Sequence, residues 1–156
     1  YKGYSLQELK RYDEALEEFK KALVINPNDL DFYFYTANCL RLMKKPEEAL
    51  VEYDKVCELD PNETFYRYHK SNYLRELGRH EEAVVEMDKL LALQPHRYDF
   101  SFQKANSLRS LGRHEEAIEA IENAIAYDPA NPLYQLHKNL SLELLKQQLE
   151  SQEVNR

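Results

Sequence analysis

At 156 residues, 43% of them hydrophobic, the chain is long enough for one ordinary domain. Its formal charge of −7 argues against sequence-independent nucleic-acid binding, which rests on a net positive surface facing phosphates. No run approaches the roughly 18 apolar residues of a spanning helix, so no membrane role is expected; nothing at the amino end reads as a signal peptide, and a start at Tyr1 suggests a piece of something longer.

The chain repeats itself. Leu6-Gln-Glu-Leu-Lys-Arg-Tyr-Asp-Glu-Ala-Leu16 returns as Leu40-Arg-Leu-Met-Lys-Lys-Pro-Glu-Glu-Ala-Leu50, as Leu74-Arg-Glu-Leu-Gly-Arg-His-Glu-Glu-Ala-Val85 and as Leu108-Arg-Ser-Leu-Gly-Arg-His-Glu-Glu-Ala-Ile118. Pro27, Pro61, Pro95 and Pro129 keep the same 34-residue interval, which marks one supersecondary unit per repeat. Scarce glycine (3), absent tryptophan and 12 tyrosines suit amphipathic helices better than turn-rich sheets.

Taken in order, the pattern predicts helices near 1–10, 12–25, 30–43, 46–59, 64–77, 80–93, 98–111, 114–127 and 132–150. In the third unit Phe65 to Leu77 carries one apolar stripe, and Gly78 ends it because glycine takes the left-handed conformation at little cost. His80-Glu81-Glu82 then opens a second helix with carboxylates at the positive end of its dipole, and Pro95 prevents its continuation. In the second unit Pro46 suits a first helical position, but Lys44-Lys45 must close the turn without glycine. At the end Leu133, Leu136, Leu140, Leu144 and Leu145 form a stripe expected to dock on the last repeat, with polar residues beyond it. Lys70, Lys104 and Lys138 recur, with Lys2, where their stems should pack and their ammonium groups reach solvent.

These positions resemble the tetratricopeptide repeat. The eighth place of the unit is small (Gly3, Ala37, Ser71, Ala105), the twentieth is alanine (Ala15, Ala49, Ala83, Ala117) and the thirty-second is proline. The family's leading tryptophan is replaced by Tyr33, Arg67, Ser101 and Gln135. The resemblance implies an all-α, right-handed superhelical solenoid of antiparallel helix pairs. It would hold four repeats (1–29, 30–63, 64–97 and 98–131), a capping helix at 132–150 and a polar tail at 151–156. It also implies that the first helices line a concave, peptide-binding surface.

Catalysis finds no support. Neighbouring glutamates on a helix point about 100° apart, and no histidine, cysteine or aspartate spacing resembles a metal site, so neither enzyme activity nor a cofactor is expected. Cys39 and Cys57 read as buried free thiols, in keeping with a cytoplasmic protein. On a helical wheel centred on Asn38, residues Asp31, Phe34, Tyr35, Arg41 and Leu42 fall within about 60°. Ala37, Leu40 and Met43 lie on the packing side. The repeat turns this face into a ladder: Asn38, Asn72 and Asn106; Arg41, Arg75 and Arg109; Phe34, Tyr68 and Phe102; Tyr35, His69 and Gln103.

An asparagine amide can hold a peptide unit at both C=O and N–H. Arginine favours carboxylates or phosphates, and the aromatics add apolar contact. The expected function is a protein-interaction scaffold that binds an extended, acidic peptide segment. Shared ancestry of duplicated repeats, with Asn and Arg bonding only to neighbouring helices, explains the same recurrence without a ligand. A recruiting domain of a larger enzyme and a structural subunit of an assembly are the alternatives. The carboxylate clamp by which family members hold heat-shock chaperone tails is absent: its places hold Phe34, Asn38, His69, Asp99 and Gln103, or Tyr68, Asn72, Gln103, Leu133 and His137, with one match in either frame.

Overall fold

The structure, a computed structural model, describes residues 11–154. Among them are eight helices and no strand: α1 (Tyr12–Ile25), α2 (Leu30–Leu42), α3 (Pro46–Leu59), α4 (Thr64–Glu76), α5 (His80–Leu93), α6 (Tyr98–Ser110), α7 (His114–Tyr127) and α8 (Pro132–Val154). The helix expected over 1–10 lies outside the described residues, as do Lys2 and Gly3.

The second helix of each unit begins and ends where the pattern places it. Each first helix stops one residue early, because the chain is already turning: Met43 and Leu111 have ψ of 1° and −1°. α8 instead continues through 151–154, expected as tail, since no glycine or proline interrupts it after Pro132.

Three turns close alike. Lys45, Arg79 and Arg113 donate their backbone N–H to the carbonyls of Leu40, Leu74 and Leu108 at 2.9, 2.8 and 3.0 Å. This six-residue closure requires a left-handed residue just before the donor. Gly78 and Gly112 supply it at φ 73°, and Lys44 supplies it at φ 58°. The basic residue that leaves each turn, Lys45, Arg79 or Arg113, then pairs with the third residue of the next helix. Arg79 donates to Glu82 at 2.6 and 2.8 Å, and Arg113 to Glu116 at 2.7 and 2.5 Å. The second glutamate of each Glu-Glu pair therefore has a salt-bridge partner as well as a favourable dipole.

Contacts divide the chain into two compact units, up to Lys70 and from Ser71 onward, with α4 passing from one to the other. In the first, α1 packs on α2 and α2 on α3. Ala15, Phe19 and Cys39 form a buried cluster joined by Leu16, Phe32 and Tyr35. In the second, α5 packs on α6, α6 on α7 and α7 on α8. Its core holds Ala105, Leu108, Ala117, Ala120, Ile121, Ala124 and Tyr134. The recurring alanines Ala15, Ala49, Ala83 and Ala117 are all 0% exposed, so each second helix carries a side chain one carbon long at the same buried place.

Two expectations need correction. The recurring lysines do not simply reach solvent. Lys70 pairs with Asp54 of α3 at 2.7 Å, Lys104 with Asp88 of α5 at 2.6 Å, and Lys138 with Glu122 of α7 at 2.7 Å. Each bridge ties a first helix to the second helix before it. In α8, Tyr134 and Ser141 are buried and Leu144 and Leu145 are partly so, whereas Leu133, Leu136 and Leu140 are 44%, 62% and 43% exposed. The reason is register: Tyr134 and Ser141 stand 34 residues beyond buried Phe100 and Ser107, so α8 packs as another first helix would.

The turn residues set a test. A left-handed non-glycine residue costs about 1–2 kcal/mol, partly offset by the greater chain entropy glycine loses on folding. Lys44→Gly should therefore raise unfolding free energy by about 0.5–1 kcal/mol. A Cβ on Gly112 would meet nothing within 4 Å, so Gly112→Ala should lower it by about 1 kcal/mol through backbone strain alone. Urea denaturation of both variants measures the two shifts.

Candidate functional site

In the first unit the ladder residues are largely taken up by packing. Phe34, expected on the groove, is only 7% exposed. Its ring lies 6.0 Å from that of Tyr53, 5.4 Å from Phe65, 5.3 Å from Tyr66 and 5.0 Å from His69. It is a packing residue between successive first helices, because α4 brings three rings onto the face that the wheel of α2 alone leaves open. Tyr35 stacks on Phe19 at 5.7 Å, and Tyr68 meets His69 edge-on at 6.1 Å. Asn38 Oδ1 accepts a hydrogen bond from the buried Tyr53 hydroxyl at 3.0 Å.

Burial, and then the charge of Arg41, holds the His69 pKa below its ordinary value. Tyr66 donates to Asp31 at 2.7 Å, and burial followed by that carboxylate pushes its hydroxyl pKa up. At the family's tryptophan place, Tyr33 Oη and Arg67 Nη2 donate to the carbonyls of Pro27 and Pro61 at 3.0 and 3.3 Å. A polar anchor to the proline loop thus stands at the place where the family carries tryptophan.

The second unit keeps an open concavity. It has a volume of about 600 Å³ and is lined by Asn72, Arg75, Glu76, His80, Asn106, Arg109, Ser110 and His137. α4 supplies Asn72 and Arg75 one turn apart, α6 supplies Asn106 and Arg109 in the same relation, and α8 closes it with His137. Arg75 Nη1 donates to Asn72 Oδ1 at 3.3 Å and also to Gln103 Oε1. Arg109 Nη2 donates to Asn106 Oδ1 at 2.9 Å, and its Nη1 lies 2.8 Å from His137 Nδ1. A guanidinium only donates, so His137 accepts at Nδ1 and carries its proton on Nε2.

The two arginines make the same bonds one repeat apart: back one turn to asparagine, and forward to the residue 28 places on. Burial lowers the pKa of Arg109, which nevertheless stays cationic at neutral pH. Burial first, and then Arg109, lowers that of His137. Phe102, half-buried, packs on Tyr134 at 5.0 Å and His137 at 4.9 Å.

Asn72, Asn106, Arg75 and Arg109 are therefore brought together, and Gln103 joins them through Arg75. Glu76, His80, Ser110 and His137 also line the concavity, outside the ladder expected from the repeat. The signal for His137 was available, since it stands 34 residues beyond Gln103 and 68 beyond His69. No group of three or more His, Cys, Asp or Glu side chains that could hold a metal occurs among the described residues. Cys39 and Cys57 are buried and form no disulfide, and burial pushes the Cys39 thiol pKa up to about 11.

Comparison with known proteins agrees with this architecture. The tetratricopeptide repeat family model matches residues 74–140, and that of anaphase-promoting complex, cyclosome, subunit 3 matches residues 8–87. The chain belongs to the tetratricopeptide repeat family. Among solved structures, MamA is similar at 20% identity over 98% of this chain and 95% of that one, with a TM-score of 0.71. MamA from Desulfovibrio magneticus RS-1, from residue 41 to its end, is 18% identical over 97% and 92%, with a TM-score of 0.71. YrrB, described as a TPR protein with an unusual peptide-binding site, is 23% identical over 88% and 71%, with a TM-score of 0.70. These likenesses show the fold. No curated protein matches the chain. No helix among the described residues is long and apolar enough to cross a membrane.

The two histidines predict a pH dependence. Their folded pKa values lie below the ordinary 6.5, so the unfolded chain takes up protons that the folded chain resists. The stability present above pH 6.5 is lost as pH falls through the lowered values. His69→Gln/His137→Gln, which puts the Gln103 residue type at both places, should show a smaller decline between about pH 7.5 and 5. Urea denaturation across that range checks it; equal declines in both proteins would refute the assignment.

Proposed function

We propose that the chain is a non-enzymatic protein-interaction scaffold, and that its second unit takes an extended, acidic segment of a partner protein along Asn72, Arg75, Asn106 and Arg109. The observation that carries this reading is the chemistry of the concavity. Its walls present two arginines, two histidines and two asparagines against a single carboxylate, Glu76, in a chain of net charge −7. Each asparagine Oδ1 already accepts from its arginine, so the amide N–H groups are the donors turned to a ligand carbonyl. Each guanidinium is a planar cation whose shape and charge match a carboxylate.

Asn38, Arg41, Tyr35, Tyr68 and His69 are the corresponding ligand-facing candidates of the first unit, while Phe34 and Phe102 support the helices that present such groups. The division into four repeats and a capping helix, forming one solenoid domain, belongs to the same proposal. So does a cytoplasmic location, which two buried thiols outside any disulfide favour.

A second reading has its own support. The match over residues 8–87 is to a protein described as a subunit of the anaphase-promoting complex, cyclosome, which favours a structural subunit of a multi-chain assembly. Sizing the native protein from its own cells separates the two.

The binding test uses a labelled ten-residue peptide of alternating Asp and Gly, with a Lys-Gly peptide as control. The acidic peptide should bind with a dissociation constant that rises with salt. Arg75→Gln/Arg109→Gln should weaken binding at least about tenfold, or about 1.4 kcal/mol, with melting checked alongside. Equal binding of both peptides, or no loss in a folded variant, would refute the reading.

A further inference from the structure

The ladder changes chemistry at α8. Thirty-four residues beyond Phe102 and Asn106 stand Leu136 and Leu140, and beyond Asp99 stands Leu133. α8 is held in the manner of a first helix, since Lys138 bridges to Glu122 as Lys104 does to Asp88, and Phe102 packs on its Tyr134 and His137. Leu136 and Leu140 therefore continue the register of the ladder as apolar residues, 62% and 43% exposed, and Leu133, 44% exposed, stands one turn before Leu136.

Two features join this surface to the cleft. His137 lines the cleft and bonds Arg109, and it stands one helical turn from both Leu133 and Leu140, so the cationic and apolar surfaces share an edge. The side of α8 packed against α7 is occupied separately by Tyr134, Ser141 and the Lys138–Glu122 bridge, which leaves the leucines facing outward.

We propose that the occupant of this face is the same extended segment that enters the cleft, and that it is bipartite: an acidic residue at Arg75 and Arg109, and a large apolar side chain seated on Leu136 and Leu140. The inference rests on the reading of the cleft given above. An extended chain advances roughly 3.3 Å per residue, so the apolar residue lies a few positions from the acid, on the side that runs toward α8. The apolar contact supplies selectivity among acidic segments, which the asparagine and arginine rungs alone do not provide. Unlike the cationic contribution, it persists at high salt.

The test is selection from a random displayed-peptide library with the full chain as bait, run in parallel with Leu136→Ser/Leu140→Ser. Both leucines are exposed, so the variant should fold, and circular dichroism verifies it. Wild type should enrich acids together with Leu, Ile, Phe or Met at a fixed spacing, and the variant should enrich acids alone. For an enriched peptide, replacing the apolar residue by Ser should weaken binding to wild type about tenfold and leave binding to the variant unchanged. Enrichment of acids alone by wild type overturns this inference while sparing the cleft. Apolar residues without acids, or no enrichment at all, overturns both. An apolar preference retained by the variant also overturns it, as does a wild-type dimer, seen by light scattering, that the variant dissociates.

Discussion

The structure depends on how closely two helices of a pair approach. At one recurring place on the second helices stand Ala15, Ala49, Ala83 and Ala117, none with any exposed surface. One extra methylene at such a place forces neighbouring side chains from their rotamers, at a cost of about 1–3 kcal/mol. With the pair closed, the short turn at Lys44, Gly78 or Gly112 must reverse the chain in a few residues, which requires the left-handed conformation found there. The reversal then places Lys45, Arg79 or Arg113 where it can pair with the third residue of the next helix. Contact distance, turn and cap are one linked geometry.

Stacking of one pair on the next uses a different set of contacts. The bridges from Lys70, Lys104 and Lys138 reach back to acids on the preceding second helix. In each unit an aromatic ring, Phe34 or Phe102, reaches forward to the next first helix. The lysines are more buried than their acid partners, at 14%, 26% and 27% of side-chain exposure. That leaves the ammonium needing a partner more than the carboxylate does.

The same economy governs the cleft. Arg75 and Arg109 are held by asparagine on one side and by Gln103 or His137 on the other. In the proposed binding mode, arginines so held would lose little side-chain freedom on engaging a partner segment, and such preorganisation favours affinity. In that proposed mode the cost would be selectivity, because a row of identical rungs distinguishes poorly between one acidic segment and another. Departures from the repeat, such as His137 for Gln103 and Leu140 for asparagine, are therefore the places where discrimination can enter.

The sequence by itself determined the helices, their pairing and their turns, because a 34-residue period in Ala, Gly and Pro leaves little freedom to a chain that must bury one stripe per helix. It also placed Asn72, Arg75, Asn106 and Arg109 on one face. Tertiary structure decided which side chains of the first helices are taken up by neighbouring helices. The wheel of a single helix cannot show that α4 closes over Phe34, that Tyr53 takes the Asn38 oxygen, or that Lys104 finds Asp88. It cannot orient α8 either, whose leucines satisfied the periodicity as well as Tyr134 and Ser141 did. Which stripe of α8 is buried depends on the shape of the surface offered by α7 and α6, and that surface exists only once the preceding pair has folded.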